Sequence, residues 1–303
     1  MSDSLRADLQ APSGDALAEF LKPLASEEIL YVSNPGNGGD ALIACATYQR
    51  FENLGIRYQC MDLDCPPERT RGRILVYGGG GNLVHFYGEA RGFILRHHQG
   101  ARRFILLPHT VRGHGDLLPG LGPNVDIICR DRDSYAYLRG LDMKAEVRLM
   151  DDVAFGLDVP AFMAAARARY WPLVSTRTLA WRNAKRLIRR SLHRLRNPFR
   201  LRALNAFRTD GERAGRPLPF ANLDVSQVFA ADNMTRECAD EASYRILGFL
   251  DGFDVIHTDR LHVCIGALLL GKTVHFHDNS YGKNRAVYEY SMRGRFAKVV
   301  WHG

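Results

Sequence analysis

Residues 253–284 read FDVIHTDRLHVCIGALLLGKTVHFHDNSYGKN, and the change of period inside this stretch decides the fold class. Val255 and Ile256 are β-branched, follow Phe253 and lead into Thr258-Asp259, the pattern of a short buried strand that ends at a helix N-cap. From Arg260 the spacing becomes helical: Leu261, Ile265, Leu268 and Leu269 share a face, and Gly271 stops the helix. A second strand, 273–276, then enters a polar loop holding Asn279, Tyr281, Gly282 and Lys283. Arg260 and His262 therefore sit in the first helical turn, beside backbone N–H groups that lack helical partners and at the positive end of the dipole. If the two strands are parallel, Lys283 emerges at the same carboxyl edge. Such a corner suits an anion with more than one acidic group.

Working outward, strand–loop–helix units recur upstream. Ile29–Val32 is a strand that breaks at Ser33–Asp40, and a helix follows from about Ala41 to Leu54. The loop lacks the Lys-Ser/Thr of a P-loop and the spacing of a dinucleotide fingerprint, so neither motif is met. Its plain reading is a turn that needs glycine, with Asp40 as helix cap; capping and function can share one carboxylate. Strands are expected near 58–63 and 73–77, and the second enters Gly78-Gly79-Gly80-Gly81-Asn82-Leu83. Four glycines there permit close approach of backbone to a ligand, or of helix to sheet. Another strand, 104–107, is left by Pro108-His109-Thr110, where His109 reads either as a ligand contact or as a surface-loop histidine. After a strand at 125–129 comes Arg130-Asp131-Arg132-Asp133-Ser134, with Ser134 as the expected N-cap of a helix from about Tyr135. Arg130 either reaches an anion or forms a salt bridge to Asp131 or Asp133. Asp151-Asp152 has no third oxygen ligand at suitable spacing, so no metal site is expected.

Composition bounds the function. The 303 residues suffice for two modest cores, and 46% hydrophobic with 24% charged residues is ordinary for a globular protein. No signal peptide is visible at the start, and Val263–Gly271 is too short to span a bilayer. The six cysteines show no CxxC spacing and read as reduced, buried thiols of a cytoplasmic protein. Net charge is +8, but 159–209 holds 13 Arg or Lys and no acid, which leaves the remainder at −5. Within it Trp181, Ala184, Leu187, Ile188, Leu192 and Leu195 recur at helical spacing among arginines. A basic amphipathic stretch of this kind suits an anionic membrane surface or nucleic acid; the alternative is a connector helix with solvated arginines. Aromatics for base stacking are sparse there, so nucleic acid is not expected as a partner.

The quoted stretch, the Asn34–Asp40 loop (Asn34, Gly36, Asn37, Gly39, Asp40), the glycine run and Arg130-Asp131-x-x-Ser134 together resemble the polysaccharide pyruvyl transferase family, from about Asn34 to Tyr290. That family moves the enolpyruvyl carbons of phosphoenolpyruvate onto sugar hydroxyls, usually as a cyclic ketal. The resemblance implies His262 as proton donor, Asp40 as base or hydroxyl-positioning group, and Arg130, Arg260 and Lys283 as ligands of the donor's carboxylate and phosphate. Asn34, Asn37, Gly79, Gly80, Asn82 and His109 would face the acceptor, although many family members carry Gln-Ser where this chain has His109-Thr110. Phosphoenolpyruvate is then a co-substrate, with no other cofactor and no metal. The acceptor is an oligosaccharide, free or lipid-linked, and residues 177–202 would hold the protein at the inner face of the cytoplasmic membrane.

The expected fold is α/β, with two Rossmann-like domains facing across a cleft in a GT-B-like arrangement. The expected boundaries are an N-terminal extension over 1–25, a first domain over 26–157, a basic connector over 158–203 and a second domain with tail over 204–303. A glycosyltransferase that uses a nucleotide sugar would share this architecture. A non-enzymatic anion- or nucleic-acid-binding protein would leave Arg260, His262 and Lys283 as structural residues.

Overall fold

The structure, a computed structural model, describes residues 15–170, 203–231 and 233–303. The basic stretch 177–202, and with it the expected membrane contact, lies outside the described residues. No helix among the described residues is long and apolar enough to cross a membrane. The chain divides into two compact units. Of the described residues, those up to Pro35, Ala46–Gly156 and Ala286–Met292 form the first, and those of Gly36–Cys45, Leu157–Arg285 and Arg293–Gly303 form the second.

The first unit is a parallel sheet of seven strands: β1 (Glu28–Val32), β2 (Arg57–Cys60), β3 (Ile74–Tyr77), β4 (Gly80–Leu83), β5 (Arg103–Val111), β6 (Val125–Cys129) and β7 (Glu146–Leu149). Their order is β2-β1-β3-β5-β6-β7, with β4 added along the carboxyl half of β5. The central strands β1, β3 and β6 are buried on both faces, and apart from Glu28 and Asp126 their residues are apolar. On one side Leu75, Tyr77, Phe104, Leu106 and Ile127 pack with Phe93 and Ile94 of helix Glu89–His97 and with Leu138 of helix Arg132–Arg139. On another, Tyr31 of β1 meets Tyr48 and Phe51 edge-on, each with ring centroids 5.3 Å apart.

Three local expectations change. Strand β5 runs on through Pro108 to Val111, because the β5–β6 register shifts between Leu106 and His109 and so accommodates a residue without an N–H. His109 is therefore a fully buried strand residue and not a surface-loop one. The helix after β6 starts at Arg132, and its N-cap is Asp131, whose carboxylate accepts from Ser134 N at 2.8 Å. Ser134 Oγ donates to the same carboxylate instead and accepts from Val111 N. The six cysteines are free, but Cys60 is exposed and Cys238 half-buried.

The second unit is a four-stranded parallel sheet in the order β11-β10-β9-β8: β8 (Ala203–Asn205), β9 (Val255–Thr258), β10 (Thr273–His277) and β11 (Val299–His302). The sequence places the tail beyond Tyr288 with the second domain, but part of it belongs to the first unit. Only its residues up to Met292 belong to that unit, and 299–302 return as the edge strand β11. Helix Leu261–Leu269 covers one face of β9 and β10 and packs on helix Arg236–Leu250. Alternation puts Ile256, Val274 and Phe276 on the covered face.

The other face carries a stack of imidazoles. His257 and His275, directly paired in register, stack at 4.4 Å, and His277 and His302, also paired, stack at 4.6 Å. His275 Nδ1 lies 2.8 Å from His302 Nε2. No three His, Cys, Asp or Glu among the described residues form a metal-binding group. Burial, then the neighbouring charges of His302 and Arg216, pushes His277 down to about 4. Burial takes His109 in the first unit down to about 3.

Both rings are neutral in the fold, whereas the unfolded chain takes up their protons near the usual 6.5. Their contribution to stability is complete above pH 6.5 and declines as the pH falls toward their folded values. Urea unfolding followed from pH 8 to pH 4 is expected to lose stability below 6.5, with a shallower slope in His277→Gln and in His109→Asn. Slopes equal to wild type in both variants would refute this.

Candidate functional site

At the carboxyl ends of β8, β9 and β10 the second unit buries three cations. Arg208 follows β8, Arg260 is the N-cap of helix Leu261–Leu269, and Lys283 opens helix Lys283–Val287 after β10. Their residues are 4%, 4% and 8% exposed. Arg208 Nη1 and Lys283 Nζ both donate to one oxygen of Glu212, at 2.5 and 2.7 Å. Arg260 grips Asp224 side-on, with Nε 3.0 Å from one oxygen and Nη2 2.5 Å from the other. Asp210 lies between the two arginines, 2.8 Å from Arg208 Nε and 2.7 Å from Arg260 Nη2. Three carboxylates thus offset three cations, which such burial requires.

The surrounding loops are fixed by their own polar groups. Thr209 donates to Asp224 through N and Oγ1, and Asn222 brackets the backbone of Phe207. Asp259 Oδ1 accepts from Arg208 N at 2.7 Å; burial nevertheless pushes the Asp259 carboxyl up. Asn284 Nδ2 ties the β9 and β10 ends together by donating to Asp259 O and His277 O. Asn279 Oδ1 accepts from Lys283 N. The remaining amide atoms, Asn279 Nδ2 and Asn284 Oδ1, are buried without a hydrogen-bond partner among the described residues, so the corner has polar capacity for a ligand. Beside it Phe207, Arg213, Arg216, Asp259 and His277 line a pocket of about 90 Å³.

His262 stands in the first turn of helix Leu261–Leu269, half-buried. Thr258, rather than Asp259, serves the end of β9: its Oγ1 accepts from Arg260 N and donates to Ala206 O. The ring of His262 rests on the first turn of helix Gly38–Asn53, which starts three residues earlier than the sequence suggests. A capping box explains the early start. Asn37 Oδ1 accepts from Gly39 N, and Asp40 Oδ2 accepts from Asn37 N, both at 2.8 Å. A Cβ on Gly39 would lie 3.0 Å from His262 Nδ1, so glycine leaves the room for this close approach. Asn37, Asp40 and His262 are in this way brought together, and Asp40 does act as a capping group.

Within the first unit Asn34, Gly80, Asn82 and His109 also meet. Tyr77 Oη donates to Asn34 Oδ1, a Cβ on Gly80 would strike the Asn34 amide at 2.4 Å, and His109 Nε2 is 3.1 Å from Asn82 Oδ1. Gly79 is buried beside them. Arg130 N donates to His109 O. The Arg130 side chain, 1% exposed, binds Thr110 Oγ1 and Asp152 Oδ2 at 2.9 and 2.7 Å. The salt bridge expected to Asp131 or Asp133 goes to Asp152 instead, because Asp131 is committed to its helix cap and to Arg112. In the sequence Arg208 and Glu212 stand only as an arginine and an acid after a strand, and the pairing role of Asp210, Glu212 and Asp224 carries no sequence signal.

A family model described as polysaccharide pyruvyl transferase matches residues 37–281. Three chains of known structure match as well. One of them, a functionally uncharacterized protein from Klebsiella pneumoniae subsp. pneumoniae NTUH-K2044, is 29% identical with a TM-score of 0.72, and the match covers 100% of both chains. No curated protein matches.

The arrangement of carboxylates sets an order of stabilities. Glu212→Gln leaves two buried cations short of a charge and is expected to cost about 3 kcal/mol or more. Asp210, with its side chain 31% exposed, should cost about 1 kcal/mol as Asn. Denaturant unfolding of the two variants measures the difference, and equal losses would contradict it.

Proposed function

The chain belongs to the polysaccharide pyruvyl transferase family, and we propose that it forms a pyruvate ketal on a sugar of a cell-surface polysaccharide or its lipid-linked precursor, with phosphoenolpyruvate as donor. The observation that carries this reading is the meeting of Arg260, Lys283 and Arg208 at the carboxyl ends of three neighbouring parallel strands, with His262 in the first turn of the adjoining helix. In parallel α/β sheets this edge is where ligands bind. Guanidinium forks and a lysine point charge suit a ligand with both a carboxylate and a phosphate. Family membership favours this over a nucleotide-sugar glycosyltransferase or a non-enzymatic anion-binding protein.

In the proposed reaction His262 delivers a proton to the methylene carbon of the donor, and C2 becomes open to a sugar hydroxyl oxygen. The C2–O bond to phosphate breaks, and a second hydroxyl closes the ketal. Of the two hydroxyl protons one restores His262 and the other leaves with phosphate, so the sum is donor plus diol to ketal plus phosphate. Asp40, fixed by its cap one residue from the glycine that supports His262, is assigned to hydroxyl positioning or proton removal. Arg260 and Lys283 bind the donor and favour departing phosphate. The same proposal assigns Arg130 to the donor, and Asn34, Asn37, Gly79, Gly80, Asn82 and His109 to the acceptor. Phosphoenolpyruvate enters as co-substrate, and no cofactor takes part in the scheme.

The test is phosphate release from phosphoenolpyruvate in the presence of a panel of cell-envelope oligosaccharides. His262→Ala is expected to lose turnover by about 100-fold or more while it still binds donor, since its loss falls on proton transfer. Arg260→Lys should lose donor binding, because a point charge does not replace the planar fork. Near-normal turnover in His262→Ala would overturn the assignment of the acid.

A further inference from the structure

Arg260 carries two carboxylates, and they are held in different ways. Asp224 takes both Nε and Nη2, and its second oxygen also receives Thr209 N and Oγ1 at 2.8 and 3.0 Å; its side chain is 5% exposed. It is locked by four donated hydrogen bonds and serves as the seat of the guanidinium. Asp210 has a side chain 31% exposed. Apart from the two arginines its carboxylate receives one backbone N–H, from Glu212 at 3.2 Å. It lies on the loop that follows β8, where Arg213 N closes a turn onto Asp210 O. Burial pushes the carboxyl of Asp210 up, but Arg260 and Arg208 more than offset this and hold it below its usual range. An ionised acid therefore bridges the two guanidinium groups at the most open point of the cluster.

We propose that Asp210 occupies, between Arg208 and Arg260, the place that an acidic group of the donor takes, so that its carboxylate competes with the donor and sets which anions enter. This rests on the reading of the corner as the donor site. The exchange is physically balanced. Buried arginines cannot be left without a counter-charge. A half-exposed carboxylate can turn to water at small cost, and an arriving carboxylate or phosphate restores the pairing. Affinity is then the difference between two similar terms, and a ligand gains only if it brings more charge or better geometry than Asp210 supplies. A dianionic or trianionic donor passes that threshold, whereas a monocarboxylate such as pyruvate does not. Asp224 sets no such threshold, because it is locked in place.

The two acids consequently have opposite signs. Calorimetric titration of the full chain with phosphoenolpyruvate, inorganic phosphate and pyruvate, at one ionic strength, tests this. Asp210→Asn should bind phosphoenolpyruvate and phosphate about threefold to tenfold tighter and gain measurable pyruvate binding. Asp210→Glu should stay near wild type, and Asp224→Asn should bind more weakly. Thermal unfolding checks that each variant is folded, and Asp210→Ser replaces Asp210→Asn if the latter is not. Equal or weaker anion binding in Asp210→Asn, or in Asp210→Ser where it stands in, would overturn the proposal, even if wild type binds phosphoenolpyruvate and the donor reading stands. Tighter phosphate binding in Asp210→Asn, with no binding of phosphoenolpyruvate to any variant, would support the threshold and overturn the donor reading.

Discussion

Three buried cations at one sheet edge are the constraint on which the second unit depends. Removing an ammonium or guanidinium from water costs several kcal/mol even after relaxation. The helix beginning at Leu261 adds its own positive end in the same place. The chain answers with acids from a single loop. Glu212, four residues after Arg208, reaches back to it and across to Lys283, and Asp224 closes the loop on Arg260. The path of 207–224 is therefore not free to vary. A loop of this length without regular structure is uncommon unless it is functional, and here its course is drawn by the charges it must deliver.

The parts of this arrangement that could be read in advance are those with a period. Of the residues read at helical spacing, Leu261, Ile265 and Leu268 are buried and Leu269 is half-buried, and strands β9 and β10 lie where the apolar runs put them. Arg260, His262 and Lys283 were legible because they follow these elements directly. Partnership between charges has no period. Nothing in the order Arg208, Asp210, Glu212, Asp224 says which acid meets which base, since that depends on how a loop folds over three strand ends. The same limit hid the partner of Arg130: Asp131 and Asp133 are near in sequence, but Asp152 is nearer in space.

Helix starts and strand ends failed for a different reason. Several polar side chains competed for the same backbone groups, and the sequence does not rank them. Asp131 outcompeted Ser134 because an ionised carboxylate is the stronger acceptor for an N–H. Asn37 and Asp40 satisfied each other's backbone reciprocally, which brought Gly38 and Gly39 into the helix rather than the loop. Pro108 was a reasonable end for a strand, but a register shift in the β5–β6 pairing let the strand continue. That continuation supplies the edge on which β4 pairs, and it buries His109.

The histidines show how environment, rather than residue type, separates roles in this chain. His109 and His277 are driven to the neutral form by burial, and a ring held neutral far below physiological pH has no proton to give. His109 then serves by hydrogen bonding, with its ring nitrogens against Leu107 O and Asn82 Oδ1, and not by proton transfer. His262 is placed otherwise. It is half-buried at the start of a helix and rests on a glycine whose missing side chain makes room for the ring. The cap that fixes this glycine also fixes Asp40, so one local device holds the support of the His262 ring and a carboxylate one residue apart in the chain. In the proposed reaction the proton therefore falls to His262 rather than to His109 or His277, which burial holds neutral.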